Sequence, residues 1–159
     1  MGNIFDILGP VMVGPSSSHT AGAARIGLIA RQLFGRQPEK ATIYLHGSFA
    51  ATGKGHGTDK ALIAGLLGMM PDDMRRRDSF EVAKAQGMEC GIKNKDIKEA
   101  HPNTAQILME ADGVPTMKIQ AFSIGGGRIK VCKLDGIDVN FSGESYTLII
   151  RNVDEPGRI

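Results

Sequence analysis

Hydrophobic and polar positions follow a helical period early in the chain and a two-residue alternation late in it. Small and apolar side chains recur at helical spacing over residues 20–34, and Gly35 stands where such a helix would end. The same spacing predicts helices over residues 58–70 and 79–86, and it favours the start of another at 95–100. The first two thirds of the chain are therefore expected to be mainly helical.

Later segments read as strands because apolar and polar residues alternate and Ile, Val and Phe are frequent. They cover residues 116–124, 128–133 and 137–141, and an earlier short strand is predicted over 41–45. An Asp-Gly pair at 135–136 supplies the turn between the last two strands. These elements together predict an α+β fold in which helices pack on a mixed or antiparallel sheet.

Composition narrows the class of protein. Hydrophobic residues make up 42% and charged residues 23%, as in globular proteins, and the net charge of +2 is too balanced for a nucleic-acid-binding surface. No run approaches the roughly 20 apolar residues of a membrane span, and no Lys or Arg precedes Arg25, so we expect neither membrane insertion nor a secretory signal. Cys90 and Cys132 are far apart, which favours a cytoplasmic location.

A first polar cluster precedes the first predicted helix. Four hydroxyl residues and a histidine follow Gly14-Pro15, namely Ser16, Ser17, Ser18, His19 and Thr20. Hydroxyls and free amides at a helix start suit an anion such as a carboxylate. Ordinary capping, the simpler interpretation, needs only one such residue.

A second polar cluster lies between the first strand and the second helix. It contains His46, Ser48, Thr52, Lys54, His56 and Thr58 in a glycine-rich setting. Glycines let the backbone approach a bound group, while lysine and histidine bring charge and proton transfer. The segment does not match the spacing of a nucleotide-binding P-loop.

A third cluster, His101-Pro102-Asn103-Thr104, forms a turn whose histidine is more simply structural. No two histidines stand at the i, i+4 spacing that marks a helical metal site, so we expect no metal ligands in this chain.

These clusters resemble the β-type domain of bacterial iron–sulfur L-serine dehydratases. The likeness rests on GPSSSHT at 14–20 and HGSFAATGKGHGTDKA at 46–61, with further matches at 101–104 and 123–127. It covers roughly residues 3–145. Residues 146–159 begin a further strand with nothing after it to pair with or cover it, and they resemble the first strand and turn of an ACT regulatory domain. The resemblance implies a β-type domain over 1–145 and the start of a truncated ACT-like domain over 146–159.

The resemblance also implies a function and partners. Such an enzyme converts L-serine to pyruvate and ammonia, using a 4Fe–4S cluster carried by an α-type partner subunit. Two separated cysteines are too few to hold that cluster here. The β-type domain is similar in fold to the allosteric substrate-binding domain of some phosphoglycerate dehydrogenases. We expect the isolated chain to be inactive, and to form homodimers through the surface that would face the α-type subunit.

Site roles follow from the resemblance and from serine chemistry. The substrate carboxylate suits Ser16, Ser17 and Ser18 together with Lys54, and Thr20 is expected to bind substrate as well. His56 is the first choice for the base that removes the Cα proton, and His19 is the second candidate, either as base or as a hydrogen-bond donor to the carboxylate. Ser48, Thr52 and Thr58 are expected to orient the amino or hydroxyl group.

Two alternatives stay open at this point. One is an allosteric domain that senses serine without catalytic residues, and the other is a hydrolase with a Ser–His pair. The hydrolase is disfavoured because the chain lacks a G-x-S-x-G motif.

Overall fold

The computed structural model describes residues 17–53, 57–70 and 73–150, with side chains from residue 19 onward. Helices pack on one face of a six-stranded mixed sheet, which confirms the α+β prediction. The helices are α1 (Ser17–Phe34), α2 (Gly47–Thr52), α3 (Thr58–Leu66) and α4 (Ser79–Ala85), with a 3-10 helix at Met74–Asp78. The strands are β1 (Lys40–Leu45), β2 (Glu89–Asn94), β3 (Thr104–Glu110), β4 (Met117–Gly125), β5 (Arg128–Leu134) and β6 (Ile137–Phe141).

The sheet has the strand order β2-β1-β3-β4-β5-β6. β1 and β2 are parallel, and every other neighbouring pair is antiparallel. The predicted turn between β5 and β6 is confirmed, since Asp135 and Gly136 both have positive φ angles, 51° and 79°. The end of β1, the start of β3 and the end of β4 lie at the same end of the sheet, because Leu45 pairs with Ala105 and Thr104 with Phe122.

The helices cover one face of the sheet. Along β1, β3 and β4 every second residue is fully buried against them, including Ile43, Ile107 and Ile119. α1 and α3 approach each other closely because Gly27 and Gly65 meet at their crossing. A Cβ on Gly65 would clash with the carbonyl oxygen of Ala24, and it would lie 2.9 Å from the Cα of Gly27. The two glycines therefore set the separation of these helices.

Several predicted boundaries were wrong. α1 begins at Ser17, before residue 20, and α3 ends at Leu66 instead of 70, because Gly68 adopts a left-handed φ of 78°. Residues 95–100 form no helix. They cross the end of β1, where the amide of Lys95 donates to the carbonyl of Leu45.

Two strands and one α-helix were not predicted. β2 has little alternation and contains Gly91, so its pattern is weak. β3 does alternate, with Ala105, Ile107 and Met109 on the covered face, and this signal was available in the sequence. α2 is only six residues long and is rich in small residues.

Residues 146–150 are the described part of the predicted C-terminal strand, and they form neither helix nor strand. Tyr146 and Leu148 are 89% and 85% exposed. Residues 151–159 lie outside the described part, so the ACT-like assignment stays a prediction, as does the likeness to phosphoglycerate dehydrogenase domains. Within the ranges that the structure describes, no helix is long and apolar enough to cross a membrane.

Candidate functional site

The first two turns of α1 contact three other glycine-rich or polar segments. The His19 ring nitrogen Nε2 lies 3.0 Å from Ser48 Oγ at the start of α2. Gly57, which precedes α3, lies beside the methyl group of Thr20, and Gly22 lies against Ser123 near the end of β4. Segments separated by up to a hundred residues in sequence therefore meet around one helix start at one end of the sheet.

His19 and Ser48 form the centre of this cluster. The His19 ring also packs on Phe49, with the ring centroids 5.7 Å apart, and Phe49 is fully buried. The apolar contact holds the imidazole in place while Nε2 meets the hydroxyl. A histidine held in this way can exchange a proton with a hydroxyl group.

The turn at 101–104 closes the site from the other side. The carbonyl of Pro102 accepts a hydrogen bond of 2.7 Å from the amide of Ser48, and the carbonyl of Asn103 accepts one of 3.0 Å from the amide of Ser123. Gly47 must be glycine here, because its φ is 61° and a Cβ would clash with the Pro102 carbonyl.

The same contact weighs against a hydrolase. The amide of Phe49, which follows Ser48, also points at the Pro102 carbonyl, at 3.5 Å. An oxyanion hole needs free amides beside the nucleophile, and these amides are already occupied.

His46 has a defined tautomer. Its Nδ1 accepts a hydrogen bond of 2.9 Å from the amide of Ile97, so the proton of the neutral ring is on Nε2. His101 is held similarly, with Nδ1 accepting from the amide of Asn103 at 3.0 Å and its ring stacked on Phe122. Both rings can therefore donate through Nε2.

Two buried oxygen atoms in this region have no hydrogen-bond partner among the described residues. They are Thr58 Oγ1, on a fully buried residue at the start of α3, and Asn103 Oδ1. Leaving a buried polar atom unpaired costs about 1–3 kcal/mol, so such atoms are commonly satisfied by a ligand, by water or by a mobile segment. Sequence reasoning missed Asn103, although it lies in the third polar cluster.

The predicted site residues divide into three groups. His19, Thr20, Ser48 and Thr58 lie at or beside the cluster. Thr52 uses its hydroxyl to donate to the carbonyl of Ser48 at 2.7 Å, which ties α2 together and leaves only its lone pairs for a substrate. Ser17 and Ser18 lie in the first turn of α1, while Ser16, Lys54 and His56 fall outside the described residues.

The cysteines do not fit an iron–sulfur cluster. Cys90 is on β2 and Cys132 on β5, four strand spacings apart, or about 19 Å. Burial raises the pKa of Cys90 to about 11 and also raises the pKa of Cys132, which disfavours the thiolate form that binds iron. Across the described ranges, no group of three or more His, Cys, Asp or Glu side chains is arranged to hold a metal ion.

Comparison with known proteins identifies the family of the chain. A sequence model of the serine dehydratase beta chain matches residues 3–95, which include α1, the Ser48 segment and α3. The chain belongs to the serine dehydratase beta chain family.

Two relatives align with almost the whole chain. The probable L-serine dehydratase beta chain of Bacillus subtilis is 45% identical over 157 residues, covering 99% of this chain and 71% of that protein. The L-serine dehydratase beta chain of Peptoniphilus asaccharolyticus is 40% identical, covering 98% and 70%. L-serine dehydratase 2 of Escherichia coli is 32% identical, and the match covers 80% of this chain but only 33% of that longer protein.

Proposed function

We propose that this chain is the β chain of an L-serine dehydratase, which converts L-serine to pyruvate and ammonia together with an α-type subunit. The carrying observation is the cluster at the start of α1, where His19 and Ser48 meet beside two buried oxygens without partners. An amino acid with a carboxylate, an ammonium and a hydroxyl group offers complementary groups for such a site.

The partner subunit is supported by chain lengths and by the cysteines. The E. coli relative has two thirds of its length outside the region that matches this chain. A 4Fe–4S cluster needs ligands that the described part of this chain does not bring together. We therefore assign the cluster to the α-type subunit. The exposed Tyr146 and Leu148 are candidates for contact with it, or with a second copy when the chain is isolated.

The start of α1 is proposed to bind the substrate carboxylate. α1 is 18 residues long, so its free amides and dipole favour an anion at Ser16, Ser17 and Ser18. Lys54 is proposed to add a positive charge. The hydroxyls of Thr58 and Ser48 and the side-chain oxygen Oδ1 of Asn103 would orient the ammonium and hydroxyl groups of serine. These contacts would satisfy Thr58 Oγ1 and Asn103 Oδ1, the two oxygens without partners.

Proton removal is assigned to a histidine. His56 is proposed as the base because it adjoins Gly57, which packs on Thr20 beside the cluster. His19 is the second candidate, and its contact with Ser48 supports a relay. The base takes the Cα proton, and the protonated base returns a proton to the hydroxyl group, which leaves as water and gives 2-aminoacrylate. That product tautomerises to an imine and hydrolyses to pyruvate and ammonia.

The test is anaerobic pyruvate formation from L-serine by the complex of this chain with a cluster-loaded α-type subunit. We expect activity only in the mixture, and a loss of about 10²–10⁴-fold in kcat for His56→Ala. Gln86→Ala, on the exposed end of α4, is the matched control and should retain activity.

The alternative of a purely allosteric serine sensor makes a different prediction. His56→Ala and His19→Asn would then change the serine concentration dependence and leave the maximal rate intact. That outcome in an intact complex would replace the catalytic assignment with the sensor.

A further inference from the structure

The open face of the sheet carries a cavity that the proposed dehydratase site does not use. It has a volume of about 340 Å³ and lies between the loop that follows β2 and strands β3, β4 and β5. This volume is within the range of small-molecule sites. The lining side chains are those of Ile97, Lys98, Gln106, Lys118, Gln120 and Lys133.

The lysines give the cavity a positive charge. Lys133 has one carboxylate nearby, Asp138 at 3.7 Å, and both side chains are at least half exposed, so that pair is weak. Lys98 and Lys118 form no salt bridge with any described residue. A second carboxylate, Asp135, accepts from the amide of Lys118 at 2.8 Å, so three ammonium groups border the concave surface against two carboxylates.

Hydrogen bonds fix the orientation of the two glutamine side chains in the cavity. Lys95 Nζ lies 3.5 Å from Gln106 Oε1, and an ammonium group can only donate. Gln106 Nε2 in turn donates to Gln120 Oε1 at 2.8 Å. Gln120 is only 7% exposed, and its side-chain amide also contacts the Cys132 thiol, where it lowers the pKa of that group. Because ammonium groups can only donate, the three lysines select for a ligand that accepts hydrogen bonds.

We propose that this cavity binds a small organic polyanion, a phosphate ester or a polycarboxylate, as an effector of the enzyme. Oxygen anions accept from both ammonium and amide donors, and charge-assisted bonds of this kind are the stronger ones. The cavity is on the opposite side of the sheet from the helices, so effector and substrate do not compete for space.

One residue connects the cavity to the serine site. The Ile97 side chain lines the cavity, while its amide donates to His46 Nδ1 at 2.9 Å. The carbonyl of His46 accepts from Ala50 within α2, and α2 carries Ser48. An anion held by Lys98 therefore acts on the loop that positions the His19–Ser48 pair. This coupling rests on the proposed function, whereas anion binding does not.

Binding is tested by calorimetry on the full chain at constant ionic strength, with pyrophosphate and tricarballylate as probes. We expect saturable binding of at least one probe, weakened by about tenfold or more in Lys133→Gln and in Lys118→Gln, each tested as a single substitution. Lys130→Gln is the matched control, because it removes one positive charge from β5 at a position outside the cavity. Its affinity for the probe should stay within about twofold of that of the unmodified chain. Pyrophosphate binding alone identifies a phosphate site, and tricarballylate binding alone a carboxylate site. No saturable binding, or equal weakening by Lys130→Gln, would overturn the proposal.

Nuclear magnetic resonance locates the site and tests the coupling without catalysis. At saturating probe the side-chain amide signals of Gln120 should shift, while those of exposed Gln86 should not. The Nδ1 signal of His46 should shift as well if the Ile97 contact transmits binding. An unchanged Gln120 signal would refute the site, and an unchanged His46 signal would refute the coupling. Both results are independent of whether the complex dehydrates serine.

Discussion

The two faces of the sheet are built from different chemistry. The covered face is dry and closely packed, with Ile43, Ile107 and Ile119 under helices whose separation is set by Gly27 and Gly65. The open face instead presents a hydrogen-bonded glutamine pair among lysines. Packing on the covered face determines where the site at the end of the sheet forms. The open face carries charged lysine side chains instead. The covered face holds the fold together, and the anion site that we propose uses the open face.

The largest expected effect comes from disturbing the covered face. Gly65→Ala places a methyl group against the Ala24 carbonyl and 2.8 Å from the Leu28 amide nitrogen, so α1 and α3 must separate. We expect a loss of about 3 kcal/mol in the free energy of unfolding, measured by denaturant titration with circular dichroism. Gly91→Ala on β2, where a methyl group meets nothing within 4 Å, is the control. Equal effects would show that the close crossing of α1 and α3 has no special role.

The second prediction concerns the His19–Ser48 pair at the start of α1. His19→Asn and Ser48→Ala should each lower kcat of the reconstituted complex, by about 10²-fold for His19→Asn. Because the two groups are 3.0 Å apart, the double variant should lose much less than the product of the single losses. Multiplicative losses in kcat would show that the pair does not act as a unit.

The open face is tested through its glutamine pair. Gln106→Leu leaves Gln120 Oε1 buried without its donor, which should cost about 1.5 kcal/mol of stability in thermal unfolding. Adding Gln120→Leu should recover most of that loss, since two apolar side chains can pair across adjacent strands. A double variant as unstable as the sum of the single variants would contradict this account.

The smallest expected effect is a difference in reactivity between Cys90 and Cys132. Cys90 packs against the core, and burial, with a smaller contribution from Glu89, raises its pKa to about 11. Cys132 lies beside Gln120, where the same kind of increase is opposed by a hydrogen bond from the Gln120 side chain and by Lys133. At pH 9 iodoacetamide should therefore label Cys132 before Cys90, as read by mass spectrometry, with Cys132→Ser as the control.

The raised pKa of Cys90 also predicts how the stability of the fold changes with pH. The folded thiol keeps its proton at pH values where the unfolded thiol, with an ordinary pKa, has lost it. Stability from this group is therefore complete below the ordinary thiol pKa and is lost as the pH rises towards about 11. Cys90→Ala should flatten the decline in stability over that alkaline range, and an unchanged slope would contradict the assignment.

Sequence patterns predicted the parts of the fold that have strong local signals. α1 has fifteen residues of helical spacing, and β4 to β6 alternate and include an Asp-Gly turn, so all were found. β2 is a parallel edge strand that owes its place to β1, and no local pattern identifies it. Residues 95–100 have helical composition, but the chain must cross from β2 to β3 over the end of β1, and this long-range requirement overrides local preference.

The site was predicted unevenly for a related reason. Hydroxyl and histidine clusters identified His19, Thr20, Ser48 and Thr58 from their chemistry. The partner of His19 was not foreseen, because Ser48 comes close only when the first turn of α1 packs beside α2. Ser123 carries a usable signal, since it is a polar residue at a covered-face position of β4 where Ile119 and Ala121 are apolar.

The contact between Gly22 and Ser123 has a consequence for how the protein is made. During synthesis the helix that begins at Ser17 leaves the ribosome long before β4 exists, so the cluster around the start of α1 cannot be complete until the chain has grown past residue 123. A nascent chain ending at residue 95, where the family match stops, would lack the Pro102 carbonyl and four of the six strands. The segment that matches the family model is therefore translated early, but its contacts with the later segments form last.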